Sequence, residues 1–176
     1  MTKKLMALHG REPLSEPLHY TACGLDDVYL VNGFTREEID GEDAVAIEDL
    51  DSLWKAIGLA LVKGRKTLTP KEARFLRHHM DLTQAELGAK LRVTDQTVAR
   101  WEKGETTIPG VADQMLRVLF LASDCAQPEG GKVLDRLLKM LDDLRERDEE
   151  EHPAPIRLHH AKKWEPEKAR REPEYA

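Results

Sequence analysis

Between Thr94 and Lys103, four residues are spaced to read the edges of bases: Asp95, Gln96, Ala99 and Arg100. On a helix they share one side, with Lys103 at its end. Glutamine can bond adenine through two atoms, arginine can do the same with guanine, and aspartate can accept from cytosine. Ala99 can touch a thymine methyl or keep the helix close to the groove. Val98 and Trp101, three apart, are apolar and belong on the core-facing side. The chemistry on offer is hydrogen bonding to double-stranded DNA, with no bond made or broken.

Two neighbouring elements must hold such a helix. Thr83 followed by Glu86 is a capping box: the hydroxyl takes a free amide at a helix start and the carboxylate reaches back. A short helix, Gln84 to Leu91, follows, with Ala85, Leu87 and Leu91 mixed among polar positions. Arg92-Val93 makes a tight break. Thr94 is a good N-cap for the second helix, Asp95 suits its first turn, and Gly104 can take the left-handed conformation that ends it. Thr69-Pro70-Lys71-Glu72 is a second capping box with proline at the first helical position. It starts a helix to Met80 whose buried stripe is Ala73, Leu76 and Met80, with Phe75 flanking. Two short helices joined by a tight turn make a helix-turn-helix, whose second helix can enter the major groove. The competing reading is a pair of ordinary bundle helices, or a helix-turn-helix used to bind protein.

The stretch LTQAELGAKLRVTDQTVARWEKG resembles the Xre/Cro-type helix-turn-helix family. The matching positions are Leu82, Thr83, Gln84, Leu87, Ala89, Leu91, Val93, Thr97, Val98, Trp101, Glu102 and Gly104. The resemblance covers roughly Thr69 to Asp124, about a third of the chain. It implies that Gln84 holds a phosphate, that Asp95, Gln96, Ala99 and Arg100 face bases, and that Glu102 pairs with Arg77. Members usually carry a small residue, often glycine, where this chain has Arg92, which can instead reach a phosphate. Thr94, Thr97 and Lys103 complete the expected phosphate set.

Charge is distributed unevenly. Residues 1–62 carry 5 basic and 12 acidic side chains, residues 63–125 carry 11 and 8, and residues 126–176 carry 11 and 13. The only positive segment holds the helix-turn-helix, as a phosphate-facing surface requires. A single copy should bind weakly and with strong salt dependence, so a homodimer is expected. At 176 residues, 40% hydrophobic and 5% aromatic, the chain supports one modest core built from aliphatic helix packing. No run approaches the ~18 apolar residues of a membrane helix. The N-terminus has too short an apolar stretch for a signal peptide. Cys23 and Cys125 lack metal-ligand spacing, so the expectation is a cytoplasmic protein without structural disulfides.

The remaining segments divide as follows. Residues 1–17 form a flexible N-terminus. Residues 18–66 form a small β-plus-helix region: an antiparallel sheet over about 18–48, turning at Gly24 and at Asn32-Gly33, then a helix from Asp49 to Val62 ended by Gly64. Trp54 belongs to its core or to the domain junction. Lys63-Gly64-Arg65-Lys66 is a basic hinge, either a solvated linker or an arm to the DNA backbone. Residues 67–147 form the DNA-binding domain. Its fourth helix runs Pro109 to Ser123 with Met115, Leu116, Val118, Leu119 and Leu121 largely buried, and its fifth runs Lys132 to Arg147. Residues 148–176 form a charged tail in which IRLHHAKKW fits either an edge strand or a segment that orders on a partner. His78-His79 reads as a solvated pair. The fold class is therefore mainly α: a five-helix Xre/Cro-type bundle preceded by a small antiparallel β region and a helix.

His19, Cys23 and His9 do not supply the four paired ligands of a zinc site. The layout looks like the MqsA-type antitoxins, which also place a β-rich region before an Xre-type helix-turn-helix. Those carry four zinc-binding cysteines, which this chain lacks, so neither metal nor cofactor is expected. There is no Gly-x-Ser-x-Gly elbow, no phosphate-cradling glycine loop and no paired histidine for zinc, which argues against an enzyme. The sequence thus points to a DNA-binding transcriptional regulator, a repressor by expectation. The alternative is an antitoxin-like module that neutralises a basic toxin through its acidic N-terminal region and represses its own operon.

Overall fold

The computed structural model describes residues 16–39, 42–124 and 154–167. In chain order the elements are β1 (Leu18–His19), β2 (Val28–Leu30), β3 (Phe34–Ile39), β4 (Glu42–Ile47), α1 (Leu50–Gly64), α2 (Pro70–His79), α3 (Gln84–Leu91), α4 (Asp95–Lys103), α5 (Gly110–Asp124), β5 (Ile156–His160) and β6 (Trp164–Pro166). The helix expected over Lys132–Arg147 and the thiol of Cys125 lie outside the described residues, as do His9 and most of the 1–17 segment.

The helices begin where their caps dictate. Asp49 sits in the left-handed region (φ 48°) and its side chain accepts from Ser52 N–H, 3.3 Å, at the start of α1. Gly64 is the last helical residue; Arg65 caps the helix, its N–H reaching Leu61 C=O at 3.2 Å. The sequence places α1 ahead of the bundle, but it is a bundle member. Leu53, Ile57, Leu61 and Val62 are fully buried, and α1 packs on both α2 and α5. In α5 the inward side is Leu116, Arg117 and Phe120, whereas Met115 is 44% exposed and Val118, Leu119 and Leu121 are only half-buried. The five apolar residues expected to be buried wrap around the helix, and only part of that arc meets a neighbour.

The β region departs from the expected antiparallel sheet. β1 pairs antiparallel with β2, but β2 pairs parallel with β5, and β5 carries β6 antiparallel, giving the order β1-β2-β5-β6. The charged tail therefore supplies half of the N-terminal sheet, and its IRLHH segment is an interior strand. Alternation explains the fit: Ile156 and Leu158 point inward with Val28 and Leu30, and all four are buried. Asn32 locks the join. Its side chain donates to His160 C=O at 2.8 Å and accepts from His160 N–H at 2.6 Å. β3 and β4 form a separate two-stranded ribbon.

Two buried arginines tie these parts together. Arg65, assigned to a hinge by its basic neighbours, is 5% exposed. It donates to Glu72 of α2 at 2.8 Å, to Ala154 C=O at 2.9 Å and to the Asp27 carboxylate. It is neither a solvated linker nor an arm. Arg117, fully buried, pairs with Asp113 one turn earlier and donates to Val62 C=O at 2.8 Å and Arg65 C=O at 2.9 Å. A cation at the end of α1 meets its unpaired carbonyls and its negative dipole end together. Asp113 in turn accepts from Leu68 N–H at 2.6 Å, which fixes the approach to α2.

Candidate nucleic-acid interface

α2 opens on a complete capping box: Thr69 accepts from Glu72 N–H at 3.3 Å, and Glu72 accepts from Thr69 N–H at 2.8 Å. α3 repeats the device. Thr83 accepts from Glu86 N–H at 3.1 Å, and Glu86 accepts from Thr83 N–H at 2.8 Å. The Glu86 carboxyl is held below its usual range by two bonds it accepts from Thr83, one from the backbone N–H and one from the hydroxyl, each 2.8 Å.

The turn to α4 is set by two residues. Arg92 adopts the left-handed conformation (φ 57°, ψ 41°) that glycine takes at little cost, and its side chain is exposed. Gly88 is buried, and a Cβ there would lie 2.8 Å from Val93 C=O. The position that must stay small is thus Gly88; the neighbouring Ala89, one of the matched positions, is exposed. Val93 N–H bonds Gly88 C=O at 2.9 Å across this contact.

α4 starts at Thr94, whose hydroxyl accepts from Thr97 N–H at 3.2 Å and lies 2.9 Å from the Thr97 hydroxyl. It ends at Gly104 in the left-handed region (φ 74°). Val98 and Trp101 are buried at 1% and 6% exposure, which anchors the inner side. Asp95, Gln96 and Arg100 are exposed and Ala99 is half-buried. Asp95 accepts from Gln96 N–H at 2.8 Å, and Lys103 Nζ lies 3.9 Å from a Glu105 oxygen. Gln96 and Arg100 stand at the surface, with donors able to reach outward.

One hydrogen-bonded group sets how α2, α3 and α4 sit on each other. Arg77 donates through Nε and Nη2 to the two oxygens of Glu102, at 2.6 and 2.8 Å, and through Nη1 to Leu82 C=O at 2.7 Å. Gln84 adds a bond from its amide nitrogen to Glu102 at 2.9 Å. One N–H of that amide is thereby spent inside the protein, leaving the second as a donor. Burial alone would raise the Glu102 carboxyl, but the bonds from Arg77 and Gln84 and the charges of Arg77 and Arg74 outweigh it and hold it low. The adjacent His78 is exposed and lowered by desolvation and then by Arg77 and Arg74. His79 is half-buried against Phe75 and Phe120, so the two histidines are not a solvated pair.

Residues 74–113 match the helix-turn-helix family model. That stretch, under a quarter of the chain, is a helix-turn-helix of the Xre/Cro type. The family binds DNA and is not enzymatic. No curated protein and no solved structure matches the chain. Among the described residues, no helix is long and apolar enough to cross a membrane.

The helix-turn-helix thus carries nine residues selected from the sequence: Gln84, Arg92, Thr94, Asp95, Gln96, Thr97, Ala99, Arg100 and Lys103. Sequence reasoning missed the supports beneath it, namely Glu72 with Arg65 and Asp113 with Arg117. A charged residue carries no local sign of burial, although the four-residue spacing of Asp113 and Arg117 was a usable cue. His19 bonds Asp26 C=O at 2.6 Å and stacks on Tyr29, while burial pushes the Cys23 thiol up.

Proposed function

We propose that this protein is a dimeric, sequence-specific transcriptional repressor that places α4 in the major groove. The observation that carries this reading is the outer side of α4. Asp95, Gln96, Ala99 and Arg100 lie there with base-matching donors and acceptors, on a helix anchored from behind by Val98 and Trp101. Gln84, Arg92, Thr94, Thr97 and Lys103 are the phosphate contacts in this reading, and their role is to fix register. Repression is the sign we assign because occupying a promoter needs nothing beyond DNA binding. Dimerisation is supported by an exposed apolar pair one turn apart on α5, Val111 at 78% and Met115 at 44% exposure. Two copies double the phosphate contacts that one copy supplies.

The test is selection of a randomised duplex pool by the purified protein at two salt concentrations. Enrichment of a two-fold-symmetric site, with half-sites about one helical turn (~34 Å) apart, is the expected result. Binding without enrichment that vanishes at higher salt would leave only a non-specific phosphate contact.

A second reading is an antitoxin-like protein that also binds a basic partner and represses its own operon. Residues 16–51 favour it, with eleven acidic side chains against one basic. Copurification of a basic protein that needs those residues would support it.

A further inference from the structure

We propose that the cleft between β1 and β4 takes an extended, basic segment of a partner protein as an added strand. This deepens the protein-binding reading above. It can fail while that reading stands, because a partner could dock elsewhere on the chain.

Three observations converge on the cleft. The first is its walls. It is an open groove of about 420 Å³, bounded by Leu18, His19 and Ala22 on one side and by Val45, Ile47 and Leu50 on the other. Val45 and Leu50 are 42% and 46% exposed, two of the few large apolar side chains that the described residues leave uncovered.

The second is strand pairing. Among the described residues, β1 is an edge of the four-stranded sheet and β4 pairs with β3 alone. Tyr20 N–H bonds Val28 C=O, and Glu48 N–H bonds Gly33 C=O, which sets the phase of each ladder. In antiparallel pairing, alternate residues turn their backbone groups away from the partner strand. With Leu18 opposite Leu30 and Phe34 opposite Ile47, those residues are His19 on β1 and Val45 and Ile47 on β4. The residues whose backbone groups these two ladders leave unused, His19, Val45 and Ile47, all line the groove, and such unused groups are the template for strand addition. A two-stranded ribbon gains most from a third strand, since two alone are marginal in water.

The third is charge. The segment around the groove, residues 16–51, has eleven acidic side chains and Arg36 as its one basic residue. Glu16, Glu37, Glu38, Glu48, Asp49 and Asp51 are all exposed. That field repels nucleic acid and attracts lysine and arginine side chains. The fitting occupant alternates apolar residues, which enter the groove, with basic residues, which face the acidic surround.

The experiment is a titration of the full-length protein, followed by its backbone amide NMR signals, with a capped peptide of alternating lysine and valine, about eight residues long. A glutamate–valine peptide is the control. Shifts centred on His19, Val45 and Ile47 that weaken as salt rises are the expected result. Val45→Pro removes an edge donor that the β3–β4 ladder does not use, and should weaken binding about tenfold. Val45→Lys keeps the donor and should weaken binding through charge, which separates the docking effect from any loss of folding. Equal binding of the acidic peptide, shifts elsewhere in the protein, or unchanged affinity in both variants would overturn the proposal. Self-association that Val45→Pro abolishes would also overturn it, because the cleft would then hold a second copy of this chain.

Discussion

In α3 and α4 each capping threonine finds its partner three residues away, whereas β2 finds its parallel partner at the far end of the chain, Val28 beside Ile156. The helix-turn-helix is assembled from neighbours, and its closing contacts, such as Arg77 with Glu102, span only the consecutive helices α2 to α4. The sheet is assembled from two segments with the whole helical bundle between them. Closing so long a loop costs entropy that only long-range burial can offset. The sheet accordingly relies on fully buried residues, Val28, Leu30 and Leu158, while the helix-turn-helix adds local caps and a buried ion pair to its own buried residues, Leu76, Leu87, Val98 and Trp101. Arg65 is where the two regions meet, reaching Glu72 in α2 and Asp27 and Ala154 at the sheet.

The strongest way to break this comparison is Arg65→Met. It leaves the buried Glu72 carboxylate without its cation and should cost about 3–5 kcal/mol, near the lower end because Asp27 is a third exposed. Urea unfolding followed by circular dichroism should show one transition at a lower midpoint. Two separated transitions would mean that the sheet folds as an independent unit.

Leu158→Ala attacks the sheet alone. The side chain is fully buried and its truncation should cost about 3 kcal/mol. Native-state hydrogen exchange should show protection falling in α1 and β2 and also in α3 and α4, because one core joins them. Unchanged protection in α3 and α4 would show that the regions are uncoupled.

Glu102→Gln attacks the helix-turn-helix from inside. It strands the Arg77 charge and should cost about 1–3 kcal/mol at neutral pH. The Glu102 carboxyl is lower in the folded chain than its unfolded value of about 4.3. The folded state therefore binds fewer protons. Its stabilisation is complete above that value and is lost as pH falls through the folded one. Thermal melts should show this acid-induced loss in the parent and less of it in Glu102→Gln; identical profiles would contradict the assignment.

Arg100→Ala leaves the fold alone and tests only the outer face. Stability should stay within about 0.5 kcal/mol, because the residue is exposed. Affinity for the selected site should fall by about 1–3 kcal/mol, with preference relaxed at one base pair. An equal loss on every sequence would remove its base-reading role.

The smallest effect is expected at the turn. Arg92→Gly relieves a left-handed residue and should stabilise the fold by about 1 kcal/mol. DNA affinity should nonetheless drop slightly, since a phosphate donor is lost. Thermal denaturation and a binding titration on the same samples would expose either half of that prediction as wrong.

Legibility follows the same divide. Thr69, Thr83, Thr94 and Gly104 announce their roles because a cap and its amide lie within one turn, so residue type and spacing carry the whole geometry. The inward stripe of α4 and its polar outer side are likewise readable, since helical periodicity assigns them before any packing is known. IRLHH is compatible with a strand or with disorder until β2 is placed beside it. Hydrogen bonds between strands belong to the pair and cannot be read from either one. The basic run around Arg65 reads as a solvated linker or a DNA-backbone arm because charge ordinarily stays at the surface, and only the arrival of Glu72, Asp27 and Ala154 makes the burial of Arg65 favourable. The local sequence is thus sufficient for the helix-turn-helix and its candidate reading face. The union of the chain's distant segments into one sheet, and the cleft beside β4, exist only once long-range burial has outweighed the entropy of closing the chain.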